Sequence, residues 1–146
     1  EINSIGGELT DTRGIDVNQL VEVSHCGINK INVDTDLRLA VTRNLRELFL
    51  KNERLRNSAS VGMIYELLET KRSAFDPRAF LTPIMDTVMY GEIKDDDVRL
   101  VCDAVELGVK ETVGTLLVKF GSYGKAPKVE ICTLDEMAER YKKKGI

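Results

Sequence analysis

Residues 28–33, Ile28-Asn29-Lys30-Ile31-Asn32-Val33, constrain the fold of this chain more than any other stretch. Ile28, Ile31 and Val33 give the run the length and apolar character of a short buried strand. A helix is expected just before it, from Val17 to about Cys26, with Asp16 as N-cap and Gly27 as the stop. After Val33 the chain turns polar, through Asp34-Thr35-Asp36, and enters another helix. Helix, glycine turn, strand and helix in that order read as an α/β unit. A parallel strand needs neighbours, and no second segment of the sequence supplies one. The expectation is therefore one unit of a larger parallel sheet. The chain opens on Glu1 rather than Met, which fits a piece of something longer.

Helical periodicity dominates the rest. From Thr35 to about Asn52, Leu37, Ala40, Val41, Leu45, Leu48 and Phe49 recur at spacings of three and four, one face of an amphipathic helix. Val61, Ile64, Tyr65 and Leu68 predict a second over Ser60–Thr70. Phe75-Asp76-Pro77-Arg78 is a turn or a helix start, and Pro83 can open a short helix to Tyr90. The longest apolar series follows Asp95-Asp96-Asp97 and extends from Val98 to Phe120, its acidic start favoured by the helix dipole and its end marked by Gly121. Gly108 and Gly114 inside that helix each cost up to about 1 kcal/mol relative to Ala, so close approach of another backbone is expected there. Thr133-Leu134-Asp135-Glu136 is a capping box for a last helix to about Lys144.

Composition excludes several classes. At 146 residues the chain fits one domain, and 42% hydrophobic with 31% charged residues is too apolar for disorder. Acidic residues outnumber basic ones 24 to 21, without the positive field of a nucleic-acid binder. No run of apolar residues is long enough to cross a membrane. Cys26, Cys102 and Cys132 are odd in number and widely spaced, as in a reduced, cytoplasmic protein. The single histidine, His25, has no metal-ligand partners at suitable spacing. It also cannot act with Cys26, because adjacent residues on a helix point apart.

The chemistry concentrates at the end of the expected strand. Asn32, Asp34, Thr35, Asp36 and Arg38 lie within seven residues where strand passes to helix, the position at which α/β sheets and barrels bind ligands. Thr35 and the first N–H groups of the helix can hold a phosphate. The plain structural alternative is that Asp34 or Thr35 is only a helix cap.

The stretch Lys30-Ile31-Asn32-Val33-Asp34-Thr35-Asp36-Leu37-Arg38-Leu39-Ala40 resembles the last barrel-strand motif of class II, metal-dependent fructose-bisphosphate aldolases. Gly6-Gly7-Glu8-Leu9, Gly14-Ile15-Asp16, Phe75-Asp76-Pro77-Arg78, Phe120 through Ala126 and Leu134 through Tyr141 are similar to further segments of that family, in order. The resemblance implies the C-terminal part of a (β/α)8 TIM barrel, of class α/β, with Ile28–Val33 as its last strand. Residues 1–52 then form the end of the barrel and residues 53–146 a helical C-terminal extension used in subunit contacts.

It also implies an activity, the reversible aldol cleavage of fructose 1,6-bisphosphate to dihydroxyacetone phosphate and glyceraldehyde 3-phosphate. The zinc ion, its histidine ligands and the acid/base Asp are expected upstream of this segment, with no metal ligand or catalytic residue inside it. Substrate contacts are implied for Asn32, toward the dihydroxyacetone-phosphate part, and for Asp34, toward a substrate hydroxyl. Thr35 binds the adjacent phosphate. Arg38 reaches the other phosphate in a neighbouring subunit's site, and Arg78 joins it. The implied partners are a sugar bisphosphate, the missing N-terminal part of the barrel, and further copies in a homodimer or higher homo-oligomer; no nucleic acid or membrane is implied. The spacer between Arg38 and Phe75 is longer than usual for the family, as if a helix near 61–70 were inserted. Two other readings stay open: a tagatose-bisphosphate aldolase, and a non-catalytic helical module that binds phosphate or oligomerises.

Overall fold

A computed structural model describes residues 1–145 as a helical assembly. In chain order the α-helices are α1 (Val17–His25), α2 (Thr35–Lys51), α3 (Glu53–Arg56), α4 (Gly62–Thr70), α5 (Arg78–Leu81), α6 (Met85–Tyr90), α7 (Asp96–Lys119) and α8 (Leu134–Lys143). Short 3-10 turns precede α1, link α5 to α6, and lie between α7 and α8.

No β-strand occurs among the described residues, which corrects the expected α/β class and the last barrel strand at Ile28–Val33. The reason is pairing. A strand obtains its backbone hydrogen bonds from a neighbour, and among the described residues no second segment pairs with this one. The run instead carries one backbone hydrogen bond at its start, from the Ile28 N–H back to the Val23 carbonyl at 3.4 Å. Ile28 itself is exposed. Apolar content alone does not make a strand when the ladder is missing.

The core lies where α2 is packed on both sides. Val41, Leu45 and Phe49 of α2 meet Leu55 of α3, Val61, Ile64 and Leu68 at α4, Phe80 of α5, Ile84, and Val98, Val101 and Ala104 of α7. The helix expected as an insertion near 61–70 is thus a core element, and its observed start at Gly62 follows a Val61 that is itself fully buried. Gly108 is where α7 touches α2. A Cβ there would lie 2.8 Å from both Cα and N of Val41, so only glycine permits the crossing. Gly114, by contrast, faces open space and makes no close approach.

Periodicity overstated the burial of α7. Its apolar spacing continues to Phe120, but only the first half is covered, and Val109, Val113, Leu117 and Val118 remain exposed. The start of α7 is held firmly. The Asp95 side chain accepts from the Asp97 and Val98 N–H groups, Asp97 takes a two-pronged contact from Arg54 at 2.6 and 3.1 Å, and Ser58 donates to Asp97 at 2.7 Å. The acidic run therefore caps α7 and ties the α3–α4 region to it. At the far end the expected capping box is present: Glu136 N–H donates to Thr133 Oγ1 at 3.2 Å, and Thr133 N–H donates to Glu136 Oε2 at 2.8 Å. Helix α8 buries none of its side chains. No helix among the described residues is long and apolar enough to cross a membrane.

Candidate functional site

The N-terminus of α2 is the anchor of the site. Asp34 occupies the N-cap position but makes no side-chain cap bond. Its Oδ1 instead accepts from Arg38 Nε at 2.8 Å, one turn along the helix. The cap reading of Asp34 therefore fails geometrically, and its carboxylate leaves the first-turn N–H groups free of a capping oxygen from Asp34.

From Arg38 the contacts pass to a distant part of the chain. Arg38 Nη1 donates to Asp76 Oδ2 at 2.5 Å, across 38 residues of sequence. Arg78 grips the same carboxylate: Nε lies 3.0 and 2.9 Å from its two oxygens and Nη2 2.5 Å from Oδ2. The Arg78 backbone N–H also donates to Asp76 Oδ1, at 3.0 Å. The segment is fixed to α2 from below, where the buried Thr42 hydroxyl donates to the Phe75 carbonyl at 2.8 Å. Thr42 lies one turn beyond Arg38, on the same face of the helix. The hydrogen bonds of Arg78, with help from the Arg38 charge, bring the Asp76 carboxyl down to about 2.

The longer spacer thus does not separate Arg38 from Arg78. Both expected phosphate arginines converge on one carboxylate. Neither Arg38 Nη2 nor Arg78 Nη1 has a hydrogen-bond partner among the described residues, since the carboxylates of Asp34 and Asp76 occupy the other nitrogens.

Asn32, Asp34 and Thr35 fall into a second group. With Asp11, Arg13 and Asp36 they line an open cavity of about 530 Å³ beside the N-terminus of α2. The loop carrying Arg13 and Gly14 closes over the first turn of α2. A Cβ on Gly14 would come within 2.7 Å of the Asp36 carboxylate, which would have to turn aside to admit it. Asn32 is exposed, and its Oδ1 accepts from Lys30 Nζ at 2.8 Å. Asp34 belongs to both groups, lining the cavity and pairing with Arg38.

Two residues escaped sequence reading, Asp76 in the site and Arg46 further along α2. Asp76 lies inside Phe75-Asp76-Pro77-Arg78, and an Asp that accepts from the backbone N–H two residues on is a short-range turn signal. Arg46 is almost wholly buried, a position where periodicity counts only apolar residues. Its Nη2 donates to the Leu68 carbonyl at 2.8 Å, Glu69 stands 3.8 Å from Nη1, and burial lowers its pKa. Charge pairing with Glu69 offsets part of the cost of placing it there.

The residues present do not fit a zinc site. No three His, Cys, Asp or Glu side chains among the described residues come together in a way that could hold a metal ion. His25 is exposed at the end of α1.

Residues 9–125 match the family model described as fructose-bisphosphate aldolase class-II. The chain belongs to that family. It is 32% identical over 141 residues to a fructose-bisphosphate aldolase of Xanthobacter flavus, an alignment covering 97% of this chain and 28% of that protein. Against fructose-bisphosphate aldolase 2 of Rhodobacter capsulatus the identity is 29% over 140 residues, covering 96% and 88%. A fructose-bisphosphate aldolase of Rhizobium meliloti is 30% identical over 139 residues, covering 95% and 28%. The chain thus spans little more than a quarter of two of these relatives and most of the third. No solved structure matches it.

Proposed function

We propose that this chain is the substrate- and phosphate-contacting portion of a class II fructose-bisphosphate aldolase, which cleaves fructose 1,6-bisphosphate reversibly to two triose phosphates. The observation that supports it best is the convergence of Arg38 and Arg78 on Asp76, beside a helix N-terminus whose own cap residue is engaged elsewhere. A bisphosphate presents two dianions. Planar guanidiniums with unpaired nitrogens suit one of them, and the first-turn N–H groups of α2 with the Thr35 hydroxyl suit the other.

In this reading Asn32 hydrogen-bonds the dihydroxyacetone-phosphate portion, Asp34 reads a substrate hydroxyl, and Thr35 binds the neighbouring phosphate. Arg38 and Arg78 take the second phosphate in the site of an adjacent subunit, which requires a homo-oligomer. Residues 1–52 supply the first group of contacts together with Arg38, and residues 53–146 supply Arg78 and subunit contacts. No group of described residues would hold a zinc ion, and the residues here bind and orient the substrate. The chain alone is therefore inactive.

The test is aldol cleavage by the complete polypeptide, followed through coupled triose-phosphate formation. Asn32→Ala and Arg38→Ala should each reduce kcat/KM by about 10-fold or more, the loss of a charge-assisted or buried hydrogen bond in the bound complex. Parental activity in both variants would refute the assignment. A complete polypeptide with no aldolase activity would favour a non-catalytic phosphate-binding module.

A further inference from the structure

We propose that Asp76 is a positioning residue that holds the Arg38 and Arg78 guanidiniums together as one anion-binding pair, an inference that rests on the reading of these two arginines as phosphate contacts. The two come from different elements, the first turn of α2 and the start of α5. Their like charges repel, and the Arg78 side chain is 73% exposed, so it would otherwise sample many rotamers. Asp76 supplies what gathers them. Its Oδ2 accepts from Arg38 Nη1 and from Arg78 Nη2, both at 2.5 Å.

The carboxylate is itself oriented from three sides. The Arg78 backbone N–H reaches Oδ1 at 3.0 Å, the Thr42 hydroxyl fixes the preceding carbonyl, and Pro77 sets the next backbone angle at φ −60°. Asp34 holds the opposite edge of Arg38 through Nε at 2.8 Å. The pattern of contacts matters more than their number. The carboxylates take one part of each guanidinium and leave Arg38 Nη2 and Arg78 Nη1 for an incoming oxygen. A carboxylate that merely competed with phosphate would have no need to be fixed by a backbone amide of the residue it binds. Asp76 touches no substrate in this scheme and acts only through the arginines.

Steady-state kinetics of the complete enzyme with fructose 1,6-bisphosphate test this. Asp76→Asn keeps the shape and removes the charge. It should raise KM about 10-fold while kcat stays within about 2-fold, because the pair contributes binding common to ground and transition states. In an Arg78→Ala background the same change should add less than about 3-fold, since the residue acts through its partner. Asp76→Glu should recover more than half of the lost affinity on a logarithmic scale.

An unchanged or lowered KM in Asp76→Asn overturns the proposal, as does a full additional effect in the Arg78→Ala background or a Glu variant no better than Asn. A fall in kcat as large as the rise in KM marks a general structural role and also overturns it. If Arg38→Ala and Arg78→Ala leave KM unchanged, the phosphate reading itself fails. If both raise KM and Asp76→Asn does not, only the role of Asp76 fails. Thermal midpoints check folding, and Asp76→Ser, which keeps a small polar group before Pro77, replaces the Asn variant should that not fold.

Discussion

Replacing Gly108 by Ala should destabilise the chain, although Ala is the better helix former. In an unconstrained helix the change is favourable by about 1 kcal/mol. Here the new Cβ would sit 2.8 Å from Val41 N and Cα and 2.9 Å from Ala40 C, all backbone atoms that no rotamer change can move. To reach even a tight contact of 3.4 Å, α2 and α7 must part by roughly 0.6 Å at the crossing. That separation is felt along the whole seam, where Val41 and Leu45 pack with Val101 and Ala104. Overpacking of this kind costs about 1–3 kcal/mol, and the propensity gain of about 1 kcal/mol offsets part of it, for a net loss of up to about 2 kcal/mol. Gly114→Ala in the same helix meets nothing within 4 Å and should stabilise by about 0.5–1 kcal/mol. Urea unfolding of the chain followed by far-UV circular dichroism reads both, with midpoints expected to move in opposite directions. Equal shifts, or a Gly108→Ala variant as stable as the parent, would refute the packing of α2 on α7 described above.

Two further outcomes are expected. The Asp76 carboxyl is held at about 2, below its ordinary 3.8, so the stability it contributes is present above about pH 4 and lost as pH falls toward 2. The stability difference between parent and Asp76→Asn should therefore shrink over that interval in acid titrations of unfolding, and a difference that stays constant would contradict the pairing. Thr133→Ala removes the acceptor of the capping box, and should cost α8 about 1 kcal/mol of local stability. Because α8 buries nothing, amide exchange in residues 134–143 should speed up while the global unfolding midpoint stays fixed; a shifted midpoint would mean α8 belongs to the core.

Local signals in the sequence carried the helices well. The apolar spacing from Thr35, expected to end near Asn52, corresponds to α2 ending at Lys51, and the Asp95-Asp96-Asp97 start and Gly121 stop bracket α7. Asp16 and Thr133 both cap as their residue types dictate, because a cap depends on only three or four neighbouring residues. The expectations that failed depend on partners outside the local window. Ile28–Val33 has a strand's composition and no ladder. The far half of α7 has an apolar stripe and nothing packed on it. Gly108 and Gly114 looked alike, and only the position of α2 tells them apart.

The candidate site divides along the same line. Asn32, Asp34, Thr35 and Arg38 were legible as a cluster because they are adjacent in sequence. The meeting of Arg38 with Arg78 required Thr42 to hold Phe75, a contact between residues 33 positions apart. Asp76 carries a local turn signal, but its role in joining the two arginines shows only once the fold has brought Arg38 beside it.

The most direct test is a structure of the complete polypeptide with a ketose bisphosphate bound. The Arg38 and Arg78 guanidiniums should both lie within hydrogen-bonding distance of oxygens of one phosphate, with Asp76 still bridging them and Thr35 on the other phosphate. A bisphosphate bound with neither arginine touching a phosphate oxygen would contradict the proposed role of this chain.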